Sequence, residues 1–333
     1  MKVLVTGGAG YVGSHTIREL LAARHDVIAY DNLSTGHREL VDGVPLVVAD
    51  VADHEALLKA LRGVDAVMHF AGSGYVGESI ENPRKYFRNN VESALKMVNT
   101  VLASDVRLLV FSSSCAIYGV PPHLPIEESF PKSPINPYGA TKLFFEQVLS
   151  AYRYSHGLQH VCLRYFNAAG ASRPDRGEAH QPETHLIPRI LQVALGRSPH
   201  VNIFGTDYPT PDGTCIRDYI HVSDLARAHL LALEALEKAP ENSRPPTCDP
   251  LIYNLGNGQG FSVRQVIDVA REVTGHPIPV IESPRRAGDP AVLIASSAKI
   301  RREMGWHPKS PELRAMVESA WQWHRAHPDG YPT

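Results

Sequence analysis

The fold is decided by the stretch Lys2-Val3-Leu4-Val5-Thr6-Gly7-Gly8-Ala9-Gly10-Tyr11-Val12-Gly13, where an apolar run leads directly into a glycine-rich turn. The run predicts a buried strand, and the apolar stripe within residues 14–24 predicts a helix after the turn. Glycines at positions 7, 10 and 13 permit a tight turn and let the helix approach the strand closely. Such a turn directs backbone N–H groups toward a pyrophosphate. A plain strand–helix connection without a ligand is the alternative interpretation.

Further apolar runs continue this pattern through the first half of the chain. They predict strands at residues 27–30, 44–49, 66–70, 108–111 and 159–165. Amphipathic stretches such as 54–62 and 90–102 predict helices between them. Strands and helices in alternation indicate an α/β fold with a doubly wound, Rossmann-like parallel sheet.

The second half of the chain has a different composition. Loops rich in Gly, Pro and polar residues are predicted at 171–185, 205–214 and 238–250, with short helices at 186–195 and 223–236. We therefore expect two domains, a dinucleotide-binding domain with the catalytic residues at 1–168 and a smaller C-terminal α/β substrate domain at 169–333. Segments of the two can interleave.

An acidic residue, Asp31, follows the second predicted strand. A carboxylate at this point can accept hydrogen bonds from the ribose hydroxyls of adenosine, and it would repel a 2′-phosphate. Residues 32–36 contain no Arg or Lys that could bind such a phosphate. Asp50 and Val51, which close the third strand, are placed to flank an adenine. The order of strand, glycine turn, helix, strand and acid therefore predicts NAD as the cofactor.

Composition and charge exclude several classes of function. The net charge of −2 provides no global attraction for nucleic acid or an anionic membrane. No apolar run approaches the ~20 residues that span a bilayer. Cys115, Cys162, Cys215 and Cys248 are scattered, which predicts reduced thiols and a cytoplasmic protein. The seventeen histidines are also dispersed, and we expect no metal site.

A tyrosine and a lysine four residues apart, Tyr138 and Lys142, would share one face of a helix. A phenol titrates near pH ~10, so it acts as a base at neutral pH only if positive charge stabilises its anion. Ser114 follows the fifth strand, at the sheet edge where α/β proteins bind ligands. Alone, the pair is typical of a helix surface. Beside a dinucleotide site and a serine at a strand end, it predicts a catalytic centre.

These motifs resemble the extended short-chain dehydrogenase/reductase family, and within it the UDP-glucose 4-epimerases. The resemblance runs nearly from end to end of the chain and is most specific in the later segments. The resembling stretches include Asp31-Asn32-Leu33-Ser34, Phe111-Ser112-Ser113-Ser114, Asn136-Pro137-Tyr138-Gly139, Leu163-Arg164-Tyr165-Phe166-Asn167, Arg217-Asp218-Tyr219 and Arg285-Arg286-Ala287-Gly288-Asp289.

The resemblance implies a role for each of these residues. Tyr138 would take the proton of the sugar's 4-hydroxyl while NAD accepts the C4 hydride, and the 4-keto sugar would turn over before the hydride returns. Lys142 would hold the nicotinamide ribose and keep Tyr138 acidic, and Ser114 would position the sugar. Implied cofactor contacts are Gly7, Gly10, Tyr11, Val12, Gly13, Asp31, Asn32, Ser34, Thr35, Gly36, Asp50, Val51, Phe70, Ala71, Gly72, Asn89, Ser112, Tyr138, Lys142, Tyr165 and Phe166. Implied UDP-sugar contacts are Ser114, Tyr138, Asn167, His185, Leu186, Phe204, Arg217, Arg286 and Asp289.

The chain departs from the family pattern at a few positions. Gly74 stands where many epimerases have a lysine, so one cationic contact is lost or replaced by backbone. His185 stands where some relatives have asparagine beside the UDP. Leu293 aligns with the position near the C2 substituent of the sugar, where a bulky residue disfavours N-acetylated sugars.

Other functions compete with this expectation. A sugar-nucleotide 4,6-dehydratase needs a carboxylate after the serine, and the chain has Cys115 and Ala116 there. A UDP-pentose 4-epimerase uses the same residues and stays open. A non-catalytic NAD-sensing module from a different functional class would not need Tyr138 and Lys142. The family also predicts a homodimer formed through paired helices, here residues 91–102.

Overall fold

A computed structural model describes residues 1–238, 251–286 and 288–332 of the chain. Cys248, Ala287 and nearly all of the predicted loop 238–250 lie outside these residues. The strands are β1 (Lys2–Thr6), β2 (Asp26–Asp31), β3 (Leu46–Val48), β4 (Ala66–His69), β5 (Leu108–Ser114), β6 (Gln159–Tyr165), β7 (Asn167–Ala169), β8 (Val201–Phe204), β9 (Ile216–His221), β10 (Leu251–Leu255), β11 (Gly260–Ser262), β12 (Val280–Ser283) and β13 (Val292–Leu293).

Helices occupy most of the intervals between these strands. The α-helices are α1 (Tyr11–Ala22), α2 (His54–Ala60), α3 (Val76–Glu81), α4 (Pro83–Phe87), α5 (Ala94–Leu102), α6 (Pro137–His156), α7 (Leu186–Ala194), α8 (Val222–Lys238), α9 (Val263–Thr274), α10 (Ala298–Met304) and α11 (Leu313–Ala326). Short 3₁₀ helices at Arg38–Val41 and Cys115–Tyr118 and a π-helical turn at Arg88–Ser93 complete the regular structure.

Seven parallel strands form the main sheet in the order β10-β6-β5-β4-β1-β2-β3. The order reverses direction between β1 and β4, so the fold is the predicted doubly wound, Rossmann-like sheet. Its strands are rich in Val, Leu and Ile, because helices cover both faces. The carboxyl ends of β1, β4, β5 and β6 lie along one edge, which is the usual ligand-binding edge of such sheets.

The second half of the chain forms smaller sheets, β11-β9-β13 with β7 beside β9, and β12-β8. Helices α7, α9 and α11 pack around a separate core there. Two later segments nevertheless join the first sheet, since β10 pairs with β6 and α8 packs against α1. The two halves therefore interleave, and the division at residue 168 stays a prediction.

Two elements differ from the sequence-based expectation in a way that shapes the site. Strand β5 continues to Ser114 rather than ending at Phe111, because its serine hydroxyls are hydrogen-bonded inside the fold. The helix predicted at 90–102 begins with the π-helical turn, and only Ala94–Leu102 is α-helical. Such turns are frequent at functional sites.

None of the helices in the described part of the chain is both long enough and apolar enough to cross a bilayer.

Candidate active site

The glycine-rich turn is built so tightly that side chains cannot replace its glycines. Gly7 has a φ of +67°, and a Cβ there would lie 2.6 Å from the backbone nitrogen of Ala71. A Cβ on Gly13 would lie 2.2 Å from the carbonyl oxygen of Gly7. The first backbone hydrogen bond of α1 runs from Ser14 to Gly10 at 3.0 Å. The N–H groups of the first turn are therefore free donors facing the sheet edge, as a pyrophosphate requires.

Asp31 lies at the end of β2, directly beside this turn. Its carboxylate accepts hydrogen bonds from the backbone N–H groups of Ala9 at 3.0 Å and Leu33 at 2.8 Å. Burial raises the pKa of Asp31, while these two hydrogen bonds lower it. The carboxylate is thus held beside the turn, where it fits the ribose of a dinucleotide.

The loop after Asp31 closes the adenosine side of the site. Asn32 donates to the carboxylate of Asp50 at 3.0 Å and accepts from the backbone N–H of Ser34 at 3.0 Å. Gly36 packs so closely on Ala9 that a Cβ would lie 3.0 Å away. Implied cofactor residues from β2, β3 and the turn are therefore brought together at one place. Thr35 and Val51 belong to the same loops.

Ser114, Tyr138 and Lys142 meet at the same sheet edge. Ser114 ends β5, and Tyr138 lies in the first turn of α6, whose start is capped by Asn136 accepting from Gly139 at 2.8 Å. Lys142 is one helical turn further on. Its Nζ donates to the carbonyl of Ser112 at 2.9 Å and lies 5.8 Å from the centre of the Tyr138 ring.

The titration of these groups is set mainly by burial. Burial lowers the pKa of Lys142 to about 8, against an opposing effect of Glu146. Burial also raises the pKa of Tyr138 well above 10, while its hydrogen bond with Ser114 lowers it. Protein groups alone therefore keep the phenol protonated at neutral pH. The predicted lowering of the Tyr138 pKa depends on further positive charge, which the nicotinamide ring of NAD carries.

Other implied cofactor residues line the path from the turn to this centre. Tyr165 ends β6, and its hydroxyl lies 2.5 Å from that of Ser112. Phe166 is buried directly after it. Residues 70–72 follow β4 beside Gly7. Asn89 donates to the hydroxyl of Ser73 at 3.0 Å, so the π-helical turn reaches the loop after β4.

Sequence analysis missed Asn90, which holds that loop in place. Its side chain is buried, accepts from the backbone N–H of Ser73 at 2.8 Å, and donates to the Ser73 carbonyl at 2.9 Å. It also donates to Thr141 on α6 at 3.1 Å. Asn90 lies four and seven residues before the buried Ala94 and Met97, so helical periodicity places it on the inward face but does not indicate its partners.

A buried ion pair behind the site was missed as well. Arg164 on β6 makes two hydrogen bonds to Glu146 on α6, at 2.9 and 2.6 Å. Ser113 donates to the same carboxylate at 2.5 Å, and Arg164 also donates to Tyr118 at 2.7 Å. An arginine inside an apolar strand was the available signal, because such a charge is rarely buried without a partner.

The second half brings its implied substrate residues to the same side of the sheet. Arg217 forms a close ion pair with Asp289. The guanidinium of Arg286 lies 3.8 Å from the centre of the Phe204 ring, and Asn167 donates to the carbonyl of Asp218 at 3.0 Å. Two guanidiniums and an aromatic ring suit a nucleoside diphosphate.

His185 and Leu186, the remaining implied substrate residues, lie at the start of α7. The Nδ1 of His185 is 2.7 Å from a carboxylate oxygen of Glu178 and 3.3 Å from one of Glu183. This ring nitrogen is thus directed to neighbouring carboxylates. Leu293 is buried beside Phe166 and Cys115.

We expect the depressed pKa of Lys142 to make the free energy of unfolding depend on pH. The unfolded chain keeps this lysine protonated up to pH ~10.4, whereas the folded protein releases the proton near pH 8. Between these values the unfolded state binds more protons, so Lys142 makes stability rise with pH. In Lys142→Met this contribution should vanish. Urea unfolding of both proteins at several pH values from 7 to 10 measures the difference, and parallel curves would contradict it.

Comparison with known proteins agrees with this geometry. Residues 3–256 match the NAD dependent epimerase/dehydratase family. A UDP-glucose 4-epimerase of Halalkalibacterium halodurans is 52% identical over 336 residues, which cover 100% of this chain and 98% of that protein.

Solved structures give the same result. UDP-glucose 4-epimerase from Brucella ovis, in complex with NAD, aligns at a TM-score of 0.90 and 46% identity over 96% of this chain and 97% of that one. UDP-glucose 4-epimerase from Bifidobacterium longum, in complex with NAD⁺ and UDP, aligns at a TM-score of 0.92 and 36% identity. This alignment covers 99% of this chain and 100% of that one. These matches confirm the predicted resemblance, the NAD cofactor and the class of NAD-dependent isomerase. The chain belongs to the NAD-dependent epimerase/dehydratase family, among its UDP-glucose 4-epimerases.

Proposed function

We propose that this chain interconverts UDP-glucose and UDP-galactose by oxidation and reduction at C4, with Tyr138 as the acid and base. One observation carries the proposal. Ser114, Tyr138 and Lys142 converge on the sheet edge beside a glycine turn that fits a dinucleotide. Bound NAD supplies the hydride acceptor and donor at C4. The protein supplies proton transfer, orientation and a site closed to water.

The Oη of Tyr138 takes the proton of the 4-hydroxyl as the C4–H bond breaks, and it returns the proton when the hydride comes back. The hydrogen bond from Ser114 stabilises the phenolate and positions the sugar oxygen. Lys142 is fixed by the carbonyl of Ser112, so its ammonium stays near the phenol while it binds a ribose hydroxyl. Because the 4-keto sugar stays attached to UDP, it can rotate and present its other face while the nucleotide remains anchored.

Residues of the second half of the chain bind the UDP group and keep it in place. Arg286 is exposed and stacked on Phe204, and none of the described carboxylates lies within ion-pairing distance of it. Its guanidinium is therefore available for a diphosphate. Arg217 is already neutralised by Asp289, so we assign the pair a shared role in binding ribose and phosphate.

Arg286→Leu should raise the KM for UDP-galactose by about 10- to 100-fold, since it removes charge-assisted hydrogen bonds to phosphate. The fold should be unchanged, because the side chain is exposed. Arg285→Leu is the matched control, as its guanidinium is occupied by Asp207 at 2.6 Å. Steady-state kinetics of both variants measures the effect. If Arg286→Leu and Arg285→Leu have equal KM values, Arg286 does not bind the substrate.

The structure offers no base for the rival 4,6-dehydratase reaction at the position after Ser114. Cys115 occupies it, and burial raises the pKa of its thiol to about 12. A neutral thiol cannot remove a proton at C5 of the sugar. Buried Leu293 favours hexoses over N-acetylated sugars, because a bulky side chain near C2 leaves less room for an acetamido group.

The decisive assay incubates the purified protein with UDP-galactose and follows UDP-glucose by chromatography, with Tyr138→Phe as the background. We expect a mixture of the two sugars without net NADH. A 4-keto-6-deoxy product would indicate a dehydratase. If UDP-galactose is not converted but UDP-xylose or UDP-arabinose is converted in a parallel incubation, the protein is a pentose epimerase. If none of these sugars is converted even with added NAD, the result would favour the non-catalytic NAD-sensing module.

We further propose a cytoplasmic homodimer. Helices α5 and α6 lie side by side, joined by a hydrogen bond from Tyr152 to Asn99 at 2.8 Å. Phe144 on α6 and Phe87 on the adjacent α4 are both exposed. Exposed aromatic residues on paired helices suit a symmetric contact. Light scattering should give twice the chain mass, and Phe144→Glu should shift it toward the monomer.

A further inference from the structure

Four potential metal ligands converge in one loop away from Ser114, Tyr138 and Lys142, and one of the four, His185, is also an implied UDP-sugar contact. This His/Glu cluster consists of Glu178, His180, Glu183 and His185, and one ligand atom from each lies within 4.8 Å of the others. The Nδ1 of His180 is 3.3 Å from Glu178 and 3.5 Å from Glu183. The Nδ1 of His185 is 2.7 Å from Glu178 and 3.3 Å from Glu183. Tetrahedral zinc bonds of ~2.0–2.2 Å place ligand atoms about 3.4 Å apart, which is close to three of these four spacings. The 2.7 Å separation of His185 and Glu178 would have to widen when an ion binds.

The two carboxylates of the cluster are buried, whereas the side chain of His185 is 45% exposed, and the hydrogen bonding of the cluster is incomplete. The side chains of Glu178 and Glu183 are only 6% and 3% exposed. The Nδ1 of His180 is also buried and has no hydrogen-bond partner among the described residues. Two buried carboxylates need two positive charges nearby, and the imidazoles of His180 and His185 supply these only while both rings are protonated. One divalent cation between neutral imidazoles supplies both, and it also gives the Nδ1 of His180 a partner.

The surrounding structure holds the ligands in place. Glu183 accepts hydrogen bonds from the backbone N–H groups of Thr184 at 2.7 Å and His185 at 2.8 Å. Gly177, which precedes the cluster, donates to the Tyr331 hydroxyl at 2.9 Å and packs so tightly on Trp323 that a Cβ would lie 2.3 Å away. A site supported in this way loses little entropy when it binds an ion.

The cluster also lies between the two halves of the protein. Tyr75, from the loop after β4, packs against the rings of His180 and His185 with centroid separations of 5.8 and 5.6 Å. The loop that carries the cluster starts after Gly170, whose carbonyl oxygen accepts a hydrogen bond from the Tyr11 hydroxyl of the glycine turn at 2.6 Å. An ion here would fix the segment that leads from the cofactor side to α7.

We propose that the His/Glu cluster binds one divalent transition-metal ion, with Zn²⁺ as the best match. Two imidazole nitrogens and two carboxylate oxygens suit zinc, and they exclude the all-oxygen coordination that Mg²⁺ and Ca²⁺ prefer. The ion braces the 171–185 segment and takes no part in hydride transfer. The sequence predicted no metal site, although residues 171–185 are rich in His and Glu, because the histidines are dispersed along the chain.

The test titrates chelator-treated protein with Co²⁺, followed by visible absorption, and with Zn²⁺, followed by calorimetry and by the shift in Tm. We expect saturable binding of one ion per chain, visible d–d bands, and competition of Zn²⁺ with Co²⁺. Glu178→Gln and His180→Gln should each weaken binding by at least about tenfold. Exposed His307→Gln, outside the cluster, is the control and should bind as the parent does.

Folding and binding are separated by measuring each variant without metal. If Glu178→Gln unfolds, the test rests on His180→Gln, because the His180 ring is partly exposed and tolerates a polar replacement. Absence of a stoichiometric site in the parent protein overturns the proposal. Stoichiometric binding that both variants retain also overturns it, since the ion then lies elsewhere.

Discussion

Tyr138→Phe should lower kcat for UDP-galactose by about 10²- to 10⁴-fold, the usual contribution of a positioned acid or base. The ring keeps its place on α6, whereas the oxygen that exchanges the proton of the 4-hydroxyl is lost. Binding of UDP should be nearly unchanged, because the proposed nucleotide contacts come from Arg286, Arg217 and Asp289. The loss should therefore appear in kcat and leave KM similar.

The variant's UDP affinity and thermal unfolding provide the control for this experiment. A kcat within tenfold of the parent protein, with folding and UDP affinity intact, would exclude Tyr138 as the proton carrier. Ser114→Ala is an informative companion, because the Ser114 hydrogen bond lowers the pKa of Tyr138. In that variant we expect a smaller loss of activity and an activity profile displaced toward higher pH.

Glu146→Gln should destabilise the fold by about 3–5 kcal/mol, as expected when one partner of a buried ion pair is removed. Arg164 would keep its charge inside the sheet with only the Tyr118 hydroxyl as a strong partner. The network extends further, since Tyr118 donates to Asn254 on β10 at 2.7 Å. The pair thus joins α6 to strands of the main sheet, including the strand supplied by the second half.

Denaturant unfolding measures this change, with Glu282→Gln as the matched control. Glu282 forms an exposed pair with Arg264 at 2.6 Å, and such surface pairs contribute little to stability. The same substitution should therefore be severe at residue 146 and nearly silent at residue 282. Equal effects at the two positions would show that Arg164 finds another counter-charge when Glu146 is lost.

Much of the nucleotide side could be predicted from local sequence alone. The glycine turn, the strand before it and Asp31 after the next strand are close in the chain, and their spacing has one simple steric explanation. The same holds for Tyr138 and Lys142, because helical geometry places residues four apart on one face. The alternation of strands and helices then predicted a doubly wound parallel sheet, whereas the strand order came from the structure.

Residues that act through distant partners were beyond such reasoning. Asn90 lies on the inward face that helical periodicity predicts, but its partners Ser73 and Thr141 are 17 and 51 residues away in the chain. Burial raises the pKa of Tyr138, so the predicted lowering by Lys142 together with the nicotinamide ring has to overcome an effect that the sequence did not reveal. The His/Glu cluster lies in the predicted loop 171–185, whose richness in His and Glu did not indicate that four of these side chains meet.

The sequence by itself determined the doubly wound sheet, the glycine turn and the placement of Tyr138 and Lys142 on one helical face, because each depends on backbone sterics or helical spacing over short range. Only the tertiary structure decided which charges neutralise each other, as with Glu146 and Arg164 or Arg217 and Asp289. It also decided how β10 joins the first sheet and which loop brings four metal ligands together. The physical reason is that burial and charge pairing depend on contacts between residues far apart in the chain, and local patterns carry no record of those contacts.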